Sequence, residues 1–379
     1  MAKLGEICAF QSGGTPSKNK PEYFGGEIPW ISTTALNGGK INEADAVAWI
    51  TPKAIRESAA KIAPANSIMI GTRVGIGKVA INTVEMSTSQ DVISLINIDE
   101  DKWYKPYLCK LLLSKKDYFN SQARGATIKG IKIDVVANID VPEIDYTTQR
   151  KVAATLNKID TLIFLRKQQL AKLDELVKAR FVEMFGDISN SRKVPMQDVC
   201  KIITDGTHQP PKFVLSGIPF LFVSNIVTNE IHYDAEKFIS EETYNELIKR
   251  TPIEVGDVLL STVGSYGHPA VVKENKPFCF QRHIAYLKPN NSVVNSEYLR
   301  CAILSTDLQR QIDESVKGIA QKTLNLSEIR KLRLPLPSLS LQNQFAAFVE
   351  RIDQQKQTVQ QSLEKLELMK KALMQEYFG

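Results

Sequence analysis

The sequence is poor in the residues that build metal centres and disulfide frameworks. Its four His all lie in the second half without metal-ligand spacing, and its five Cys include no CxxC pair. This pattern predicts a reducing compartment and no structural zinc or other metal. No apolar run approaches the about 18 residues of a membrane span, and the first residues lack the apolar core of a signal peptide. We therefore expect a cytoplasmic protein without membrane association.

Recognisable catalytic motifs are also missing. Residues 71–78 read GTRVGIGK and partly match the pattern of a phosphate-binding loop, but Val79 stands where that loop requires Ser or Thr. The sequence contains no Asn-Pro-Pro-aromatic or Asp-Pro-Pro-aromatic tetrapeptide of base methylases, and no clear nuclease cluster. We expect a recognition scaffold with no cofactor of its own, not an enzyme.

A stretch of 35 residues occurs twice in the chain. Residues 152–186 and 345–379 align without a gap at a constant shift of 193, and thirteen positions are identical. Both copies are rich in strong helix formers, have no interior Gly or Pro, and end in Phe-Gly. Each copy therefore predicts one long helix that closes one half of the chain.

Apolar residues in both helices recur by alternating steps of three and four. Such a seam requires a partner helix along its length, and we expect the two copies to form an antiparallel coiled coil; an ordinary amphipathic core helix in each of two domains is the alternative. The residues predicted at this interface are Ile159, Ile163, Leu170, Leu173, Val177, Ile352, Val359, Leu363, Leu366 and Leu373.

The duplication extends to the segments before each helix. Residues 28–31 (IPWI) match 218–221 (IPFL), and 67–72 match 257–262. Apolar runs predict strands at 28–32, 67–70, 78–81 and 92–98, with counterparts at 219–223, 257–260, 270–272 and 283–287, and helices at 104–114 and 297–305. Thr147 and Ser340 are the predicted N-caps of the long helices. The fold class is α+β: two tandem mixed α/β domains separated by two long antiparallel helices, a pseudo-twofold duplication.

Taken together, these residues resemble the specificity subunit of type I restriction–modification enzymes. The resemblance covers the whole chain and rests on the duplication, the opening LGEI with SGGTP at 12–16, GTRVG at 71–75, and the Phe-Gly helix ends. It implies target recognition domains at 1–142 and 187–337, and spacer helices at 143–186 and 338–379. It further implies double-stranded DNA as partner, with each domain reading one half of a bipartite, asymmetric site.

The resemblance also implies protein partners for this chain. Two methyltransferase subunits carrying S-adenosylmethionine would dock on the helix pair, which acts as a ruler for the unread spacer, and restriction subunits using ATP would complete the nuclease. The net charge of +6 arises from 48 basic and 42 acidic residues, which is small for a duplex clamp. The alternatives are a specificity subunit that serves a different methylase architecture and a repeat-built protein-interaction scaffold that never meets DNA.

Candidate DNA-contacting residues are the polar and basic positions of the glycine-rich turns. Lys and Arg would mostly hold phosphates, whereas Gln, His, Ser and some Arg would read base edges. Gln90 and Gln281 recur and are assigned a structural role, with adenine contact as the alternative. The candidates are Ser12, Thr15, Ser17, Lys18, Lys20, Arg73, Lys78, Arg124, Lys129 and Lys132 in the first half, and Thr207, His208, Gln209, Lys212, Ser265, Tyr266, His268, Arg282, Lys317, Gln321 and Lys322 in the second.

Overall fold

A computed structural model describes residues 1–125, 129–186, 193–318 and 322–379. The chain divides into two compact units: Met1–Lys167 with Gln361–Gly379 forms the first, and Gln168–Gln360 forms the second. The division cuts both long helices, so each unit contains part of each helix. Residues 187–192, the first of the second predicted recognition domain, lie outside the described residues, and the domain limits at 142, 186 and 337 stay predictions.

The first unit contains eleven short strands and five short helices among its described residues. The strands are β1 Ala2–Lys3, β2 Ala9–Ser12, β3 Phe24–Ile31, β4 Lys40–Ile41, β5 Ala48–Ile50, β6 Ile62–Ala63, β7 Ile68–Gly71, β8 Val79–Asn82, β9 Met86–Thr88, β10 Val92–Ile96 and β11 Asp140–Val141. The helices are α1 Leu4–Ile7, α2 Pro52–Glu57, α3 Lys105–Ser114, α4 Lys116–Gln122 and α5 Ile133–Ala137.

The main sheet of the first unit is buried on both faces. Its order is β2-β10-β7-β8-β4, and a second sheet has the order β5-β3-β9-β6. Ile68 and Ile70 of β7 pack in one cluster with Leu108 of α3, whereas Met69 packs in another cluster with Met86. This alternation is the period of two of a β-strand, and it places one helical layer and one sheet layer around the central strands.

The second unit repeats this plan. Its strands are β12 Lys193–Pro195, β13 Cys200–Asp205, β14 Ile218–Leu221, β15 Phe238–Ile239, β16 Val258–Ser261, β17 Pro269–Val271, β18 Cys279–Phe280, β19 Ile284–Pro289 and β20 Arg333–Pro335, and its short helices are α7 Met196–Val199, α8 Glu241–Leu247, α9 Ser296–Leu304, α10 Thr306–Ser315 and α11 Leu326–Lys331. The main sheet has the order β13-β19-β16-β17. Val258 and Leu260 face Leu299 of α9, whereas Leu259 packs with Phe280 on the opposite face.

The strands and helices predicted from the sequence are found in both units, and the mixed α/β class is confirmed. The repeat-equivalent residues Trp30 and Phe220 differ in their burial. Phe220 is buried, but Trp30 is half-buried and its indole N–H donates to the Gly14 carbonyl over 3.0 Å.

Two helices of 40 residues, α6 Tyr146–Phe185 and α12 Leu339–Phe378, dominate the chain. The predicted N-caps are wrong, because each helix begins earlier than the sequence pattern suggested. Asp145 caps α6 by accepting from the Thr148 backbone N–H over 2.9 Å, and hydrogen bonds from Thr148 hold the pKa of Asp145 below its usual value. Ser338, the repeat equivalent of Asp145, caps α12, so Thr147 and Ser340 lie inside the first turns.

Within the second unit, the last part of α6 and the first part of α12 pack antiparallel. Asp174 meets Lys356 at 2.8 Å, and further along the helix pair Phe181 contacts Phe345 with ring centroids 5.5 Å apart. Five predicted interface residues share one hydrophobic cluster here, namely Leu170, Leu173, Val177, Ile352 and Val359. Lys356, a charged residue within the apolar seam, therefore meets a carboxylate of the other helix.

The same antiparallel arrangement is found within the first unit. Asp160 meets Lys370 at 2.6 Å and Lys167 meets Glu367 at 3.0 Å. Leu373 packs against the core of this unit. Of the other predicted interface residues, Ile159 and Leu363 are buried, and Ile163 and Leu366 are half-buried. Among the described residues, none of the helices is both long and apolar enough to cross a bilayer.

A buried glutamine fastens the start of each long helix to its own globular layer. Gln149 accepts from the Tyr104 backbone N–H over 2.8 Å and donates to the carbonyls of Lys102 and Ile144 over 3.0 and 2.9 Å. Gln342 repeats the pattern, accepting from Asn295 and donating to Val293 and Pro337. Because both side chains are at most 1% exposed, no water replaces these bonds if they are lost.

We predict that Gln149→Ala and Gln342→Ala each destabilise the unit that contains them. Removal of one amide leaves a backbone N–H and two carbonyls buried without partners, which costs about 2–4 kcal/mol. Calorimetry of the full chain should show a transition lowered by about 5–15 °C. The exposed Gln355→Ala is the matched control, and an unchanged transition for Gln149→Ala would contradict the fastening role.

Candidate nucleic-acid interface

Four polar segments of the first unit meet at one end of its main sheet. The Gly13 N–H donates to the Val92 carbonyl over 3.0 Å, the Thr72 N–H to Asp91 over 2.8 Å, and the Ile131 N–H to Thr72 over 2.8 Å. These bonds join residues 12–15, 71–78, 88–91, and 124–125 with 129–131. We call this surface the first polar edge.

Glycine is required where the turn after β2 crosses the sheet. A Cβ on Gly13 would lie 2.1 Å from the Thr88 hydroxyl oxygen, and in the second unit a Cβ on Gly206 would lie 2.2 Å from the Phe280 carbonyl oxygen. A side chain at either position would displace the polar turn from the strand beside it. Gly13 and Gly206 recur because each repeat packs a backbone turn against its own copy of the equivalent strand.

The exposed polar side chains of the first polar edge include four basic residues, Arg73, Lys78, Arg124 and Lys129. The Thr15 hydroxyl donates to the side chain of Gln90, which is itself exposed, and Arg73 lies 3.9 Å from Asp91. The long Arg73–Asp91 separation leaves most of the guanidinium donors free for another acceptor.

The remaining first-half candidates lie within this edge or in the residues that directly follow its segments in the chain. The Arg124 N–H pairs with the Gly130 carbonyl over 3.0 Å, which places Lys129 beside the 71–78 turn. Lys20 donates to the Tyr23 hydroxyl over 2.9 Å, in the exposed stretch that also contains Ser17 and Lys18. Ser12, Lys78 and Lys132 are exposed.

The second unit builds an equivalent surface from equivalent segments. The Thr207 N–H donates to Phe280 over 3.2 Å, the Thr262 N–H to His283 over 2.9 Å, and the Leu324 N–H to Thr262 over 2.8 Å. We call residues 205–209, 261–268, 281–283, and 317–318 with 322–324 the second polar edge. The two edges therefore share a backbone plan, although their side chains differ.

A carboxylate organises the second polar edge. Asp205, whose side chain is 13% exposed, lies 2.5 Å from Arg250 and 3.0 Å from His208 Nε2. One buried acceptor thus positions two exposed donors beside Thr207. Sequence reasoning missed both Asp205 and Arg250, because Arg250 follows helix α8, 45 positions from its partner, and no motif marks it.

Several second-half candidates are already engaged in hydrogen bonds. The Tyr266 hydroxyl donates to Asp313 over 2.9 Å, and His268 Nδ1 lies 3.3 Å from the Asn229 side-chain oxygen. Burial lowers the pKa of His268, and burial together with Arg282 lowers that of His283, so both rings are neutral at pH 7. The exposed candidates are His208, Gln209, Lys212, Ser265, Arg282, Lys317 and Lys322, and Gln321 lies outside the described residues.

The repeated glutamines do not form the bonds to backbone expected of a structural role. The Gln90 side chain meets a hydroxyl at the first polar edge, and Gln281 joins the second edge through its backbone N–H, which donates to Leu221 over 3.1 Å. Their structural role and the alternative of adenine contact therefore both stay predictions. Among the described residues, no three His, Cys, Asp or Glu side chains lie close enough to hold a metal ion.

Two related α/β units, each with a glycine-shaped polar edge and a share of the same long helices, define a duplicated recognition protein. A family model described as the type I restriction modification DNA specificity domain matches residues 1–175 and 189–368. The chain belongs to this family, and its function is DNA sequence recognition in type I restriction–modification.

Comparison with individual proteins agrees with this assignment. The chain is 24% identical over 375 residues to the type I restriction enzyme MjaIX specificity subunit of Methanocaldococcus jannaschii, covering 92% of this chain and 85% of that protein. The crystal structure of a type I S subunit from M. genitalium covers 100% of this chain and 95% of that one, at 15% identity and a TM-score of 0.59. A structure from work on assembly and conformational transition of the type I R-M system covers 100% and 96%, at 19% identity and a TM-score of 0.62. At these identities the two structures establish the fold.

We predict that Arg73→Gln and Arg282→Gln weaken binding to the cognate DNA site. Each change should cost about 1–3 kcal/mol if the guanidinium makes a bidentate contact to guanine. Titration at fixed salt with the chain and its partner subunits measures the loss. Arg150→Gln and Arg351→Gln, exposed positions on the long helices, serve as controls. An affinity equal to that of the unmodified chain would remove that arginine from the reading surface.

Proposed function

We propose that each unit reads one half of a bipartite, non-palindromic DNA site. The observation that carries this proposal is the pair of polar edges, which are built on the same backbone plan from different side chains. Thr15, Gln90 and Arg73 stand in the first edge, whereas His208 and Arg250 are held by a carboxylate in the second. Readers with unlike donors and acceptors select unlike bases, so the two half-sites differ.

The long helices set the distance between the half-sites. Support comes from their length, from the continuous hydrogen-bonded helix of 40 residues in each, and from the contribution of each helix to both units. A helix rises about 1.5 Å per residue and is stiff on this scale, so it can act as a ruler for the unread spacer. The two half-sites would lie near one helical turn of DNA apart, about 34 Å.

The chain supplies recognition, and its partners supply the chemistry. Two methyltransferase subunits with S-adenosylmethionine dock on the helix pair, and restriction subunits with ATP join them. The small net charge of +6 supports this division, because phosphate contacts dominate duplex affinity and a weakly charged reader needs help from its partners. The assembly works in the cytoplasm. The alternative of a scaffold that never meets DNA has no support in the family match.

Lengthening both helices tests the ruler. We predict that four extra helix-forming residues between Lys167 and Gln168, together with four between Gln360 and Gln361, lengthen the methylated spacer by about two base pairs, since they add about 6 Å. Both insertion points lie at the boundary between the two units, so neither unit is interrupted. Genome-wide methylation sequencing reads the result. Insertion into one helix alone is the control and should abolish methylation, whereas the old spacing after the double insertion would defeat the ruler.

Exchange of one unit's reader tests the division of the site. We predict that replacing residues 1–142 with the same region of a relative that recognises different DNA changes one half-site and leaves the other intact. Methylation sequencing again identifies both half-sites. A change in both halves, or in neither, would show that the two units do not read independently.

A further inference from the structure

A lysine-lined groove lies beside the first polar edge, inside the first unit. Its volume is about 550 Å³, and it opens between the turn at 37–39, the end of α3 and segments of both long helices. Four lysines line it, with one carboxylate, and the five residues are Lys78, Lys110, Lys116, Lys370 and Asp160. None of Lys110, Lys116 or Lys370 belongs to the set of DNA contacts suggested by the sequence.

The single carboxylate of the groove is already shared. Asp160 accepts from Lys110 over 2.7 Å and from Lys370 over 2.6 Å. Burial alone would raise the pKa of Asp160, but the two ammonium groups hold it below its usual value, so Asp160 is ionised. Lys78 and Lys116 are exposed, and the described part of the chain offers neither an ion-pair partner. The groove therefore has more positive charge than its own residues balance.

The duplication provides an internal reference for this charge. A groove of about 450 Å³ occupies the corresponding place in the second unit, where four cationic side chains face four carboxylates. Cys301, Asp307 and Val177 stand there at the repeat equivalents of Lys110, Lys116 and Lys370. Because the second repeat folds with a balanced groove, the surplus of lysine in the first is not a requirement of the architecture.

The groove continues into the first polar edge. Lys78 ends the same turn that carries Arg73, and its aliphatic stem lies 3.0 Å from where a Cβ on Gly75 would stand. The neighbouring glycine N–H groups bond within the fold: Gly38 donates to the Val79 carbonyl over 2.7 Å and Gly77 to Gly71 over 3.0 Å. The donors left to face the groove are therefore the ammonium groups of Lys78 and Lys116, which hold phosphate as point charges without reading sequence.

We propose that this groove binds backbone phosphates of the DNA recognised by the first unit, and that the second unit has no equivalent contact. The inference rests on the proposed function. It makes the first unit the stronger non-specific anchor, because each lysine that neutralises a phosphate releases condensed counterions. It also explains why lysines accumulate in one repeat on a scaffold that both repeats share.

The test uses Lys116→Gln and the double variant Lys78→Gln/Lys116→Gln in the full chain assembled with its methyltransferase subunits. Binding to a 40-base-pair duplex with the cognate site, and to one without it, is measured across a salt series. Each neutralised lysine should make the slope of log affinity against log salt shallower by about 1, and weaken both duplexes about fivefold near 0.15 M salt. Lys178→Gln, in the balanced groove of the second unit, is the matched control and should change neither quantity.

The outcomes separate the groove from the proposed function. Equal slopes for Lys116→Gln, the double variant and the parent chain would show that the groove does not bind phosphate. If the parent still bound the cognate duplex, the proposed function would be unaffected by that result. No salt-dependent binding by the parent assembly would defeat the proposed function itself. Unchanged slopes, together with protection of Lys116 from acylation by inorganic pyrophosphate, would show that the groove binds a free anion and would overturn the DNA assignment. Unchanged slopes, together with loss of methyltransferase co-purification by the variants, would show that it binds an acidic protein segment, with the same consequence.

Discussion

Each globular unit depends on two helix segments that are distant in sequence and antiparallel in space. The first unit takes the start of α6 and the end of α12, and the second takes the opposite parts. In the second unit, Phe185 and Phe345, from different long helices, enter one core cluster with Tyr298 of the globular layer. Burial of such aromatic side chains contributes about 1.5–3 kcal/mol each, so neither unit has a complete core without both helices. The helices are therefore part of the two readers and not a connector added to them.

The two repeats share the contacts that fix the start of each long helix to its globular layer, and they differ in their exposed side chains. We call these shared contacts the joints. Both joints contain a buried glutamine with three backbone bonds, and in both a tyrosine hydroxyl donates to a proline carbonyl: Tyr107 to Pro142 over 3.5 Å and Tyr298 to Pro335 over 2.6 Å. At the polar edges, by contrast, equivalent backbone carries unlike side chains. A buried polar group needs all its hydrogen bonds, so a substitution there is costly, whereas an exposed side chain can be replaced at little cost. The two repeats therefore keep the buried bonds at the helix starts and differ in the side chains of the polar edges.

Much of the fold follows from the sequence, because it depends on local pattern. The strands around Ile68 and Val258 are short apolar runs between glycine turns, and the long helices follow from composition and seam. The helix starts were misplaced because Asp145 and Ser338, which cap the helices, lie two residues before the Thr147 and Ser340 favoured by inspection. The pairing of the seam lysines with carboxylates could not be predicted, since nothing in one helix shows that Asp174 or Asp160 will stand opposite.

The functional surface was only partly readable for the same physical reason. Glycine-rich turns predict a polar edge, because a position where two backbone segments approach closely requires glycine, and glycine is visible in the sequence. The Asp205 carboxylate that holds Arg250, and the Asp160 carboxylate shared by Lys110 and Lys370, join residues tens or hundreds of positions apart. Charge at such places is visible only when the elements are assembled. A net charge of +6 therefore conceals an uneven distribution, in which the groove of the first unit has more lysines than carboxylates and that of the second unit has equal numbers of cations and carboxylates. Since electrostatic attraction depends on local charge and not on the sum over the chain, the difference between the two grooves cannot be read from the net charge.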